Sequence, residues 1–183
     1  MIRTYQKGIQ ADSLDKNILN ILAYCLAGLN RRSDALASIE RYLQLAPAEP
    51  NPYDSKADIY LMLNETDSAL VWWKKALKFR SDFQSSMKLG FQYLIRDDYF
   101  NAEKYFLQYA SARGEEQKLY AEIMPALITM RQGKMNQAVR RILELMPIHA
   151  SQKNSDFLLY DYANLIFLYD ELGDYNSAEK FAR

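Results

Sequence analysis

A residue that can end a helix stands five positions before an alanine at five places in this 183-residue chain. Asparagine, aspartate and glycine all tolerate the left-handed backbone conformation that closes a helix. The turn residues are Asn30, Asn64, Asp97, Gly133 and Gly173, and the alanines are Ala35, Ala69, Ala102, Ala138 and Ala178. The alanines are 34, 33, 36 and 40 residues apart. This fixed offset predicts a unit of helix A, tight turn and helix B that is repeated along the chain.

The side chains around each turn keep their sizes as well as their positions. Twelve residues before the alanines stand Ala23, Ala57, Gly90, Ala126 and Ile166, and all of these except Ile166 are small. Nine before stand Leu26, Tyr60, Tyr93, Thr129 and Tyr169, and four after stand Ile39, Trp73, Phe106, Ile142 and Ala182. Small residues let helices approach closely, and large ones fill the spaces between hairpins. The pattern resembles the tetratricopeptide repeat, which implies an all-α, right-handed α-solenoid of antiparallel helix-turn-helix repeats.

The same alignment predicts how the chain is divided. We expect one domain over 1–183, with a partial helix B at 1–13, repeats at 16–49, 50–82, 83–118 and 119–158, and a truncated repeat at 159–183. Pro125 should bend helix A of the fourth repeat, because proline removes a helical hydrogen bond. Helix A of the fifth repeat should extend from about 155 to 172. Neither terminal repeat carries a polar cap, so we expect either a fragment of a longer array or ends that meet another copy of the chain.

Composition argues against several classes of function. Lysine plus arginine equals aspartate plus glutamate at 23 each, so the basic excess of a nucleic-acid-binding protein is absent. The first ten residues contain no apolar signal-peptide core, and no apolar run approaches the ~18 residues that cross a membrane. We therefore expect a cytoplasmic protein that binds neither nucleic acid nor membrane.

We also find no constellation of residues that indicates catalysis. His149 is the single histidine, and it follows Pro147 in a stretch that we interpret as a solvent-exposed loop. Without neighbouring cysteines or carboxylates at ligand spacing, one histidine does not indicate a metal site. No glycine-rich phosphate loop or nucleophile elbow is present. The sequence predicts no enzyme, no cofactor and no metal.

The resemblance implies a concave binding surface on one face of each helix A. The predicted protein-binding residues lie on this face about one turn before the small residue, one residue after it, or one turn earlier still. In chain order they are Asn17, Asn20, Tyr24, Asn51, Asp54, Asp58, Gln84, Met87, Phe91, Ile123, Leu127, Tyr160 and Phe167. The surface is polar and acidic in the early repeats and apolar in the later ones. Apolar residues in a row favour docking of a partner, although packing between repeats is the alternative for some of them.

The acidic end of this surface argues against one ligand known for the family. The clamp that holds the carboxylate tail of chaperones needs several basic and amide positions, of which only Lys88 matches here. Asp54 and Asp58 would repel such a tail and prefer a basic residue on the ligand. We predict a protein–protein interaction module that binds a peptide or partner helix in the groove. The alternative is a regulatory or self-association domain of a larger protein, such as the bacterial signalling proteins whose repeats residues 46–77 resemble.

Overall fold

The structure, a computed structural model, describes residues 15–111, 114–151 and 155–183, with the backbone alone for 115–122 and 155. The predicted partial helix B at 1–13 lies outside the described residues. The described part of the chain contains ten helices and no strand. In chain order they are α1 Lys16–Gly28, α2 Arg32–Leu45, α3 Pro50–Met62, α4 Thr66–Ala76, α5 Ser85–Ile95, α6 Tyr99–Ala110, α7 Glu115–Arg131, α8 Met135–Ser151, α9 Ser155–Glu171 and α10 Tyr175–Ala182.

Each of the five predicted turns closes a helix with the same pair of backbone hydrogen bonds. All five turn residues have positive φ, between 57° and 74°, as predicted from their residue types. The N–H of each turn residue donates to the carbonyl three residues earlier, at 2.8–3.1 Å. The N–H of the following residue donates to the carbonyl five residues earlier, also at 2.8–3.1 Å. This is the Schellman motif, which satisfies carbonyls that a helix end otherwise leaves without a partner.

The helix after each turn begins in a uniform way. The backbone N–H of every repeat alanine donates to the carbonyl of the residue that precedes its helix. The alanine side chains are buried, with four of them fully inaccessible and Ala178 at 9% exposure. At two of these helix starts, Asp98 and Asp174 add a side-chain cap, accepting from the N–H groups of Asn101 and Ser177. The hairpins are therefore determined locally, through turn geometry and a small buried residue.

The chain divides into two compact units, residues 1–89 and 90–183. In the first unit, α1 packs on α2 and α3 packs on α4, and α3 also contacts α1 and α2. Leucines of α1 form the centre of its core together with residues of α2 and α3. Their buried partners include Ala35, Ile39 and Ile59.

In the second unit, the helices from α6 to α10 pack in sequence, each on the next. Its two core clusters are centred on Phe106 and Met124, and on Leu165 and Leu168. Helix α5 carries Gly90, where a β-carbon would overlap the ring of Phe106 on α6. This contact is the reason that the position requires the smallest residue.

Two long helices contain a proline, and both continue past it. Helix α7 includes Pro125, and the Thr129 hydroxyl donates to the Pro125 carbonyl at 2.7 Å. Helix α8 includes Pro147 and ends only at Ser151, so the predicted loop around His149 is wrong. Helix α9, predicted from about 155 to 172, extends from Ser155 to Glu171.

Candidate functional site

The acidic part of the predicted groove is a hydrogen-bonded network centred on Asp54. This carboxylate is 1% exposed and lies on α3. It accepts hydrogen bonds from Ser85 Oγ at 2.5 Å, Gln84 Nε2 at 2.7 Å and Lys88 Nζ at 2.8 Å. All three donors belong to α5 or the residue before it, about one repeat further along the chain. A buried carboxylate with three donors is well compensated, and a partner cannot reach it directly.

Asp58 lies one turn further along α3 and is held by three donors. Tyr24 Oη donates to it at 2.7 Å, Trp73 Nε1 at 3.0 Å, and Lys88 Nζ at 2.7 Å. These donors come from α1, α4 and α5, so the carboxylate joins three neighbouring helices. Its side chain retains 22% exposure and that of Lys88 retains 25%.

The electrostatics of this cluster differ from the expectation drawn from sequence. Asp54 and Asp58 were expected to be open to a basic residue on a ligand, but Lys88 of the same chain contacts both. Two carboxylates share one ammonium group, so the cluster retains one surplus negative charge. Burial and the neighbouring Asp58 carboxylate raise the pKa of Tyr24, and its hydroxyl therefore stays a donor to Asp58. The charge accessible to a partner lies at Asp58, because Asp54 is covered.

The remaining polar groove positions have separate environments. Asn51 donates through Nδ2 to Tyr42 Oη at 2.9 Å and so contributes to packing. Asn20 is partly buried, and its Oδ1 finds no donor in the described part of the chain. Asn17 and Gln84 are exposed. Met87 is half-buried.

For three apolar groove positions of the second unit, packing between helices, the alternative to an exposed row, is what the structure shows. Ile123 and Leu127 are 4% and 7% exposed and belong to the core cluster around Phe106. Phe91 packs edge-on against the Phe106 ring, with centroids 5.1 Å apart. For these three residues the structure shows packing between helices instead of an open surface. We therefore remove Ile123 and Leu127 from the candidate surface.

Two predicted residues on α9 are exposed. Tyr160 is 44% and Phe167 48% exposed. Leu159, on the same helix, reaches 69%. Exposed apolar side chains on one helix can mark a contact surface. In the second unit, α9 is the part of the predicted site that remains open.

One buried ionisable pair escaped the sequence interpretation. His149 is fully buried in α8, and its Nδ1 forms a hydrogen bond with the Asp161 carboxylate of α9, which is 1% exposed. His149 Nε2 has no partner in the described residues. Burial raises the pKa of Asp161, and the hydrogen bond with His149 opposes this rise. A sequence signal existed, because Ile142, His149 and the intervening Leu145 share the spacing of an apolar helix face.

The described residues offer no other arrangement typical of a chemical site. No group of three or more His, Cys, Asp or Glu side chains among them is placed to hold a metal ion. None of the helices in the described ranges combines the length and apolar character needed to cross a membrane.

Solved structures identify the architecture. A tetratricopeptide repeat protein from Parabacteroides merdae ATCC 43184 is similar, with a TM-score of 0.72 and 18% identity. The match covers 98% of this chain and 69% of that protein's chain. The chain has a tetratricopeptide-repeat-like fold. PilW, described as a widely conserved type IV pilus biogenesis factor, is also similar, with a TM-score of 0.70 and 15% identity. The match covers 98% of this chain and 80% of the PilW chain.

These neighbours confirm the predicted fold class, an all-α solenoid of antiparallel helix-turn-helix repeats. At 15–18% identity the likeness concerns the fold alone. No protein-family model and no curated protein sequence matches the chain.

Proposed function

We propose that this protein is an interaction module that binds a polypeptide at the surface formed by α1, α3 and α5 around Asp58 and Lys88. The observation that carries the proposal is the charge imbalance of the cluster, in which two carboxylates face one ammonium group. Because Asp58 is partly exposed, a lysine or arginine of the partner can approach it and compensate the surplus charge.

The way in which Asp58 is held favours recognition. Tyr24 and Trp73 fix one oxygen each before any partner arrives. A side chain that is already ordered loses little conformational entropy on binding, which makes each contact more effective. The exposed amide of Asn17 on α1, and the amide oxygen of Gln84 just before α5, supply polar groups for the backbone of an extended peptide. Repeat proteins of this architecture use extended surfaces of this kind for binding.

A displayed library of random peptides tests the proposal, because it offers the surface many candidate partner sequences at once. We expect the selected peptides to be enriched in lysine or arginine. Asp58→Asn should weaken their binding about tenfold, since one charge-assisted contact is worth about 1.5 kcal/mol. Asp170→Asn is the matched control, because it removes an exposed carboxylate of α9 in the second unit.

Circular dichroism and thermal melting separate a loss of binding from a loss of fold. If Asp58→Asn unfolds the chain, Tyr24→Phe provides a milder change, because it removes one hydrogen bond to Asp58 and keeps the ring. Selection of acidic peptides, or equal binding by Asp58→Asn and the unchanged chain, would refute the proposal.

The second candidate function is self-association within a larger assembly. It is favoured by the exposed side chains of Leu159, Tyr160 and Phe167 on α9. Sedimentation velocity over a range of concentrations tests it. A dimer that Phe167→Ser abolishes and Asp58→Asn leaves intact would support self-association through α9, whereas a monomer at all concentrations would reject it.

A further inference from the structure

The second hairpin carries the same spacing of side chains on both of its helices. On each, an aromatic residue is followed by a lysine three positions later and by another aromatic residue four positions after that. The residues are Tyr53, Lys56 and Tyr60 on α3, and Trp72, Lys75 and Phe79 on α4 and the turn that follows it. Positions i, i+3 and i+7 share one face of a helix. We call these six residues the lysine–aromatic face.

Contacts across the two helices join these residues into one surface. The Tyr53 ring lies 4.8 Å from that of Phe79 and 6.0 Å from that of Trp72, measured between centroids. The Lys56 and Lys75 ammonium groups lie over the Trp72 ring, 3.8 and 3.6 Å from its centroid. Cation–π contacts at these distances hold the charges against the ring.

Part of this arrangement is a packing contact that recurs in other hairpins of the fold. The stacked pair Tyr60–Trp72 recurs at the same offsets from the repeat alanines in two other hairpins. The equivalent pairs are Tyr93–Tyr105, with centroids 5.5 Å apart, and Tyr169–Phe181, at 5.7 Å. An aromatic pair at this place therefore packs helix A on helix B. Function must be sought in what the second hairpin adds, which is the two lysines and Phe79.

Lys56 occupies a position that is apolar in other hairpins. The residues at this position are the buried Leu22, Leu89 and Leu165 in three other hairpins and Pro125 in the fourth. Lys56 is also buried, at 7% exposure, and its ammonium group pairs with Glu40 of α2. That charge is therefore compensated within the chain.

Lys75 has no such compensation. Its ammonium group rests on Trp72 and forms no ion pair with a carboxylate of the described residues. Arg80 is paired with Asp82 at 3.3 Å, but the exposed Lys78 adds a second positive charge. Phe79 beside it is 45% exposed. The surface thus combines a local excess of positive charge with an exposed apolar ring, in a chain whose formal charge is zero.

We propose that the lysine–aromatic face is a second interaction surface and binds an acidic polypeptide segment that carries an apolar or aromatic side chain. A carboxylate of the segment pairs with Lys75, and the apolar side chain packs on Phe79 and Tyr53. Tyr53 is already ordered, because its hydroxyl donates to the Pro47 carbonyl at 2.8 Å. The surface is opposite in charge to the Asp58 cluster and does not depend on it.

Single-stranded nucleic acid is the other polymer that basic and aromatic residues bind. Such binding relies on several rings on which successive bases stack, along a continuous basic groove. Here the Trp72 ring is covered by two ammonium groups, which leaves Phe79 as the largely exposed ring of the face. The geometry therefore favours an acidic peptide.

Fluorescence anisotropy with the full chain tests the proposal. The probe is a short fluorescein-labelled peptide of glutamates around one phenylalanine, with a matched peptide that carries lysines in place of the glutamates. We expect the acidic peptide to bind and Lys75→Glu to weaken its binding about tenfold, because an attraction becomes a repulsion. Lys75→Glu should not weaken any binding of the lysine peptide, which the Asp58 surface would take. Lys134→Glu, an exposed lysine of the second unit, is the control for net charge. Phe79→Ser should weaken binding several-fold.

Three outcomes would overturn the proposal. The first is absence of saturable binding of the acidic peptide to the unchanged chain. The second is an equal effect of Lys75→Glu and Lys134→Glu, which would show that net charge alone governs binding. The third is tighter binding of oligothymidylate, with displacement of the peptide. If Lys75→Glu lowers the melting temperature, Lys75→Gln replaces it, with a few-fold loss of affinity expected.

Discussion

Removal of Lys88 tests whether the groove cluster stabilises the fold as well as a binding surface. In Lys88→Met the aliphatic part of the side chain is kept and the ammonium group is lost. Asp54, at 1% exposure, would retain only the donors Ser85 and Gln84. Asp58 would lose its counter-ion as well. A buried carboxylate without its ion partner is strongly destabilising.

The magnitude follows from burial. Loss of one partner from a fully buried ion pair costs about 3–5 kcal/mol of unfolding free energy. Lys88 is 25% exposed, and each carboxylate keeps two neutral donors, so we expect about 2–3 kcal/mol here. Asp54→Asn alone should cost about 1 kcal/mol, since Lys88 still pairs with Asp58. The double variant should then lose less stability than the sum of the two single losses, with a coupling of about 1–2 kcal/mol.

Urea denaturation followed by far-ultraviolet circular dichroism measures the four states of this double-mutant cycle. Lys78→Met is the matched control, because Lys78 is exposed, and its effect should stay within about 0.5 kcal/mol. The slope against urea should be the same in all variants if the same surface unfolds. An effect of Lys88→Met no larger than the control, or a coupling near zero, would refute the reasoning that Lys88 compensates Asp54.

Three further substitutions test the packing and the turns. Gly90→Ala should lower stability by about 1–3 kcal/mol despite alanine's higher helix propensity, because its β-carbon overlaps Phe106; a raised melting temperature would contradict this close approach. Gly133→Ala should cost about 1–2 kcal/mol through backbone strain alone, since no atom lies near the new β-carbon; equal urea midpoints would exclude the strain. His149→Leu should cost about 2–4 kcal/mol by isolating Asp161, and adding Asp161→Leu should recover most of the loss in the same assay.

The turns could be predicted from sequence because their cause is local. Asn30, Asn64 and Asp97 are the non-glycine residues with positive φ in the described chain, and the sequence singled out each one. A left-handed residue after a helix depends on its own side chain and on nearby carbonyls. The alanines followed from the same logic, since a helix that starts after such a turn must approach the previous helix closely.

The helix around His149 could not be predicted from the local preference of proline, because packing determines whether the helix continues there. Proline disfavours a helix interior, so Pro147 suggested a loop. The helix continues because the burial of His149, two residues beyond the proline, outweighs one lost hydrogen bond. The partner, Asp161, stands four residues before Leu165 on a buried face, a spacing that could have exposed the pair.

The groove could be predicted only in part. Helical spacing identified the face that carries Asp54 and Asp58, because that face depends on each helix alone. It could not show that Lys88 reaches back to both, since this depends on the side-chain geometry of helices one repeat apart. The same limit applies to Ile123 and Leu127, whose burial is decided by the neighbouring helices.

The five Schellman turns have a practical consequence for measuring how this molecule opens. Each holds two amide hydrogens in backbone hydrogen bonds, so we expect the amides of residues 31, 65, 98, 134 and 174 to exchange with solvent when their own turn opens. In a linear array, neighbouring units need not open together. These amides are therefore built-in probes, one for each hairpin, from which hydrogen exchange can read a stability profile along the chain.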